Sequence, residues 1–99
     1  PDEYDDQALK KWKEDSPDLV ETYLEKIEDL DTESFTSKNL KNAVKELIDE
    51  KDVGFGKVAM PLRVAVTGQG YGPDLFPTLE VLGKETTIRR IKDALAALS

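Results

Sequence analysis

Leu19, Val20, Tyr23, Leu24, Ile27 and Leu30 return at intervals of three and four, and this spacing constrains the fold more than any other feature of the chain. Such a period places six apolar side chains on one face of a helix and cannot be satisfied by a strand, whose faces alternate every second residue. Ser16 at the head of the segment is a natural N-cap, with Pro17 at the first helical position. The same period recurs in Leu40, Ala43, Val44, Leu47 and Ile48, where Thr36 can cap and Phe35 and Leu40 stand as a hydrophobic staple. It recurs again in Leu75, Phe76, Leu79 and Leu82, a helix beginning near Asp74 with Pro77 in its first turn and Gly83 ending it. A last helix carries Ile88, Ile91, Leu95 and Leu98 inward, with Arg89, Arg90 and Lys92 on its outer surface. Near the start, Leu9 and Trp12 mark a short helix in which Trp12 reads as a core anchor rather than a platform for stacking.

Charge divides the chain. Residues 1–50 hold 7 Lys/Arg against 16 Asp/Glu, and residues 51–99 hold 7 against 5, within a net charge of -7. The acidity is interspersed with Lys10, Lys11, Lys13, Lys26, Lys38, Lys41 and Lys45, the pattern of solvated helix faces. Gly54 and Gly56 interrupt the helical pattern where the charge changes sign. A division is therefore expected near residues 51–56, into an acidic helical subregion over 1–50 and a second subregion over 51–99. Only the second half suits an acidic partner.

With 99 residues and neither cysteine nor histidine, the chain offers no disulfide, no thiolate or Ser-His nucleophile and no ordinary zinc ligand set. No metal site or catalytic residue is expected. No apolar run approaches the roughly 20 residues of a membrane span, and no signal pattern opens the chain, so a cytoplasmic protein without a membrane partner is expected. The chain begins Pro1-Asp2-Glu3, which suggests an excised piece of something longer.

The run "KVAMPLRVAVTGQGYGPD", residues 57–74, leaves local chemistry divided. Its valines favour a strand, and the glycines that follow resemble a phosphate loop. A dinucleotide fingerprint, however, would need glycine at position 73, where Pro73 stands, and no Gly-Lys-Ser/Thr follows. Pro61 in mid-run argues against a central strand. An EF-hand over "DLDTES" fails because Ser34 occupies the position that needs glycine. Arg63 has two readings of equal weight. It is either a structural arginine, stem on the core and head in water or on a carboxylate, or a planar fork turned towards a base edge or phosphate. Beside it, a Gly72-Pro73 turn next to Leu75 would make a shelf on which a base can stack.

In order, Gly56-Lys57, Pro61-Leu62-Arg63-Val64-Ala65-Val66-Thr67-Gly68, Gly72-Pro73-Asp74-Leu75-Phe76 and Leu82-Gly83-Lys84-Glu85 resemble the C-terminal anticodon-binding region of bacterial-type glutamyl-tRNA synthetases. The resemblance is strong over residues 56–96, looser from Phe35, and confined to helical character over 1–34. It implies an all-α fold, a compact helical cage of about six helices in two small subregions, with the stretch around Arg63 helical against its local propensity. It further implies recognition of the glutamate tRNA through its anticodon loop. Arg63 would bond a base edge, and the Gly72-Pro73 backbone and the Leu75 side chain would wall the pocket. Gly72 replaces a residue with a side chain in relatives, so only main-chain contacts remain there, and Pro77 replaces a helix former without touching the pocket. Lys57, Lys84, Arg89, Arg90 and Lys92 are candidate phosphate contacts. The catalytic signatures of the class are missing, since a His-Ile-Gly-His element needs histidine and no Lys-Met-Ser-Lys-Ser loop occurs. The chain alone is therefore not expected to be an enzyme. ATP and magnesium belong, on this resemblance, to the catalytic domain of a parent chain, a glutamate-tRNA ligase. The competing expectation is an acidic helical protein-interaction module with no nucleic-acid role.

Overall fold

The computed structural model describes residues 3–70 and 72–98, which form six helices and no strand. Five of the six follow from spacing. Helix α1 (Asp6–Leu9) is capped by Asp5, whose side chain accepts from the Gln7 N–H. Helix α2 (Ser16–Glu28) begins one residue earlier than expected: Asp15 is the cap residue and makes no side-chain cap bond, while Ser16 Oγ accepts from the Lys13 N–H at 2.8 Å. Ser16 is thus buried and fixes the turn entering α2 rather than capping it. Helix α3 (Ser37–Lys51) starts as its sequence predicts, with Thr36 accepting from the Asn39 N–H at 3.2 Å. Helices α5 (Leu75–Leu82) and α6 (Lys84–Leu98) flank Gly83, whose φ of 87° needs no side chain.

Helix α4 (Phe55–Thr67) is where local propensity and structure part. Val58, Leu62, Ala65 and Val66 are buried, and so are Ala59, Pro61 and Val64. Helices α2, α3, α5 and α6 all pack against α4. A helix wrapped in this way shows no polar period over most of its surface and cannot be told from a buried strand by periodicity. Burial on several sides outweighs the modest β preference of three valines. Pro61 removes the N–H that would bond the carbonyl of residue 57, a cost the packing absorbs. Gly68 closes the helix at φ 75°, its N–H donating to the Val64 carbonyl at 2.9 Å.

One cluster gathers Val20, Tyr23 and Ile27 of α2, Leu40, Val44 and Leu47 of α3, Val58, Leu62 and Val66 of α4, Leu79 of α5 and Ile91 of α6. The Tyr23 hydroxyl reaches the Leu40 carbonyl at 3.0 Å, and burial raises its pKa well above that of an exposed phenol. Trp12 packs partly buried against this core, as expected, while Ala8 rather than Leu9 is the buried residue of α1. The Asp5 N–H donates to the Gly68 carbonyl at 2.8 Å, clasping the N-terminal segment to the end of α4. A Cβ on Gly70 would stand 2.8 Å from Lys11 Cε, so the Lys11 stem lies close against this glycine and would have to shift for any larger residue.

Glu80 of α5 ties α3 down from outside. Its Oε1 accepts from the Ser37 N–H at 2.6 Å and from the Ser37 hydroxyl at 2.9 Å. That N–H is one of the four a helix start leaves unpaired. The Ser37 N–H, then its hydroxyl, hold the Glu80 carboxyl below its ordinary value. The carboxylate form is therefore the one that stabilises the fold. Its contribution is complete above the ordinary glutamate value and is lost as pH falls through the lowered one. Glu80→Gln should make the chain slightly less stable at neutral pH and flatten its loss of stability between about pH 5 and pH 2. Urea midpoints measured across that range check both.

Candidate functional site

Beyond its exposed first turn, where Phe55 and Lys57 also reach solvent, α4 keeps one stripe open. Gly56, Met60, Arg63 and Thr67, spaced at four, three and four, lie within one narrow sector of the helix and are exposed or half-buried. Arg63 sits on this stripe. Its Nη1 donates to the Pro73 carbonyl at 2.7 Å, ten residues further on, and no carboxylate pairs with it among the described residues. Thr67 holds the end of the same stripe. Its hydroxyl donates to the Arg63 carbonyl at 2.7 Å and accepts from the Gln69 N–H at 3.1 Å. The chain then turns back so that Gly72 faces the guanidinium, where a Cβ would lie 3.6 Å from Arg63 Nη1. The φ of 146° at Gly72 is one that residues with side chains rarely adopt. Tyr71, inside this glycine-rich turn, lies outside the described residues.

Arg63, Gly72 and Pro73 are thus brought together from two separate elements. Of the five donors of the guanidinium fork, one hydrogen is aimed at Pro73, and the others meet no acceptor among the described residues. Leu75 is placed differently. Its side chain is only 3% exposed and belongs to the core, so in this conformation it does not wall a surface pocket. The apolar surface beside Pro73 comes instead from Pro77, Val81 and Leu82, which line a shallow groove with Asp74 and Thr78. Pro77 therefore does border the region that sequence placed it away from. Val81, 86% exposed, is the residue of this surface that periodicity missed, because it stands off the buried stripe of α5.

The candidate phosphate contacts do not form one patch. Lys84, Arg89 and Lys92 share a groove on α6 with Thr32 and Ile88, but Glu85 and Asp93 line it too. Within that groove the Lys84 ammonium donates to the Glu28 carbonyl at 3.1 Å, and Lys92 lies 3.6 Å from the Glu28 carboxylate. Arg90 is not on the outer surface. It is half-buried, and its Nη1 donates to the Val66 carbonyl at 2.9 Å, stitching α6 to α4. Lys57 pairs with Asp15 at 3.1 Å, both side chains about half exposed. No helix among the described residues is long and apolar enough to cross a membrane.

Comparison with known proteins places the chain in a family. The glutamate-tRNA ligase of Flavobacterium johnsoniae is 41% identical over 98 residues, which are 99% of this chain and 19% of that protein. The glutamate-tRNA ligase of Bacillus subtilis is 40% identical over 92 residues, 92% of this chain and 19% of that protein. A crystal structure of a glutamate tRNA ligase from Elizabethkingia meningosepticum, in complex with its amino acid, superposes with a TM-score of 0.92 at 37% identity, covering 100% of this chain and 19% of that one. The chain thus spans about one fifth of the length of the relatives it matches. A family model described as the anticodon binding domain matches residues 1–95, and the chain belongs to that family.

Proposed function

We propose that this chain is the anticodon-reading domain of a glutamate-tRNA ligase, joined in its parent to the catalytic domain that handles ATP, magnesium and the amino acid. The observation that carries the proposal is the Arg63 guanidinium held at 2.7 Å from the Pro73 carbonyl against a turn whose Gly72 has no side chain. A planar fork beside an open backbone suits the edge of an unstacked base, which is how single-stranded RNA is read. Pro73, Pro77 and Val81 offer an apolar shelf for the face of a base. Its role is recognition, and discrimination comes from contacts worth ~1–3 kcal/mol per base.

Isothermal titration of the chain with a hairpin RNA carrying the glutamate anticodon, and with hairpins altered at one anticodon base, tests this. Weak binding is expected, in the micromolar range or above at physiological salt, because a net charge of -7 opposes association. The altered hairpins should bind roughly 5- to 150-fold more weakly than the matched one. Equal binding of all hairpins would remove the anticodon reading, and no binding of any hairpin would favour an acidic protein-interaction module.

A further inference from the structure

Sequence reading spread Lys10, Lys11 and Lys13 over a solvated acidic face, but the fold gathers them. They and Gln7 form one wall of a groove of about 660 Å³, whose other wall is Gly56, Lys57, Met60 and Pro61 of α4. Four lysines and no carboxylate line it, in a chain whose net charge is -7. Among the described residues Lys57 alone of the four has a carboxylate within 4.0 Å, that of Asp15. Helix α1, with four residues, is too short for its C-terminus to account for three lysines following it. At one end, beyond Lys13 and Lys57, the surface turns acidic with Glu14, Asp15 and Asp18. Away from that end, Met60 belongs to the open stripe of α4 that leads to Arg63, about 4.5 Å further along the axis. The Lys11 stem also lies against Gly70, in the loop that continues to Gly72 and Pro73.

We propose that this groove holds the phosphodiester backbone of the single-stranded RNA whose bases meet Arg63. The proposal rests on the function given above and adds a partner surface on the N-terminal segment. Lysine ammonium groups serve as point charges for phosphates, and among the described residues Lys10, Lys11 and Lys13 have no carboxylate within 4.0 Å. The acidic end repels a polyanion, so the strand leaves the groove along Met60 towards Arg63. Such contacts position the RNA without reading its sequence.

The salt dependence of binding separates this role from base reading. Neutralising one phosphate of a single strand contributes about 0.7 to the slope of log affinity against log salt. The chain carrying Lys10→Gln, Lys11→Gln and Lys13→Gln should bind the matched hairpin with a slope shallower by about 2 and an affinity roughly 10- to 50-fold lower near 0.15 M salt. The loss should be equal for matched and altered hairpins. Lys10→Gln with Lys13→Gln, which leaves the Lys11 contact to Gly70 intact, should lower the slope by about 1.4, and the three Lys→Arg changes should preserve it. An unchanged slope in the triple variant overturns the proposal, whatever happens to selectivity. If the unaltered chain binds matched and altered hairpins equally while the slope still falls, the groove stands and the anticodon reading falls. Failure of the unaltered chain to bind any hairpin removes both.

Discussion

Replacing Arg63 with alanine will leave the six helices in place and erase the chain's preference for the matched anticodon. The structural part of the effect is small. Arg63 is half-buried, and its one side-chain bond among the described residues, to the Pro73 carbonyl, is near the surface, so its loss costs roughly 0.5–1.5 kcal/mol. The recognition part is larger, a loss of roughly 5- to 150-fold for the matched hairpin with little change for a hairpin altered at the base Arg63 meets. Arg63→Lys distinguishes charge from shape, because it keeps the cation and removes the planar fork, and it too should lose selectivity. Circular dichroism alongside titration decides the matter. An Arg63→Ala chain that unfolds makes the residue structural, and one that folds and still discriminates removes Arg63 from base reading.

Leu62→Ala should lower stability by about 2–5 kcal/mol, a large share of the 5–15 kcal/mol typical of a domain. Leu62 is fully buried in α4, where α2, α3, α5 and α6 meet. Few sites could collapse less easily into the space left behind. The melting temperature should fall by roughly 10–30 °C. The form of the transition matters as much as its position. The core that contains Leu62 also contains Val20, Tyr23, Leu40 and Val44, from the other side of the proposed division near residues 51–56. Helicity and Trp12 fluorescence should therefore be lost together, in one transition. If Trp12 kept its folded signal while part of the helicity melted, residues 1–50 and 51–99 would be separate folding units.

Helices α2, α3, α5 and α6 could be read from the sequence because each buries one stripe and leaves its other side open, and α3 even shows its cap, Thr36. The boundary of α2 slipped by one residue because Ser16 carries the chemistry of a cap but uses it on Lys13. Helix α4 could not be read locally, since burial on several sides removes the polar face that would betray its period. Resemblance supplied what periodicity lacked. The candidate site divides in the same way. Arg63, Gly72 and Pro73 could be named by motif, but their meeting depends on a ten-residue excursion that no spacing rule describes. Periodicity put Leu75 on the apolar stripe of α5, where it is buried, while the resemblance set it on the pocket wall; which side of the α5 start faces the core is decided by packing with α3, α6 and α4. The grouping of Lys10, Lys11 and Lys13 with Lys57 was hidden by the acidic residues around them in the chain, since a count along the sequence averages charges that the fold separates.

The bond from Arg63 to the Pro73 carbonyl also bears on how tightly and how selectively this surface can work. A free arginine surrenders up to ~2 kcal/mol of rotamer freedom when a ligand immobilises it. Here the guanidinium plane is already pinned to the backbone it would share with a ligand, so much of that loss has occurred on folding rather than on encounter. A pinned fork gains affinity without added contacts, and it also cannot swing to suit a misplaced partner. The surface should therefore turn away a wrong base through rigidity as much as through missing hydrogen bonds.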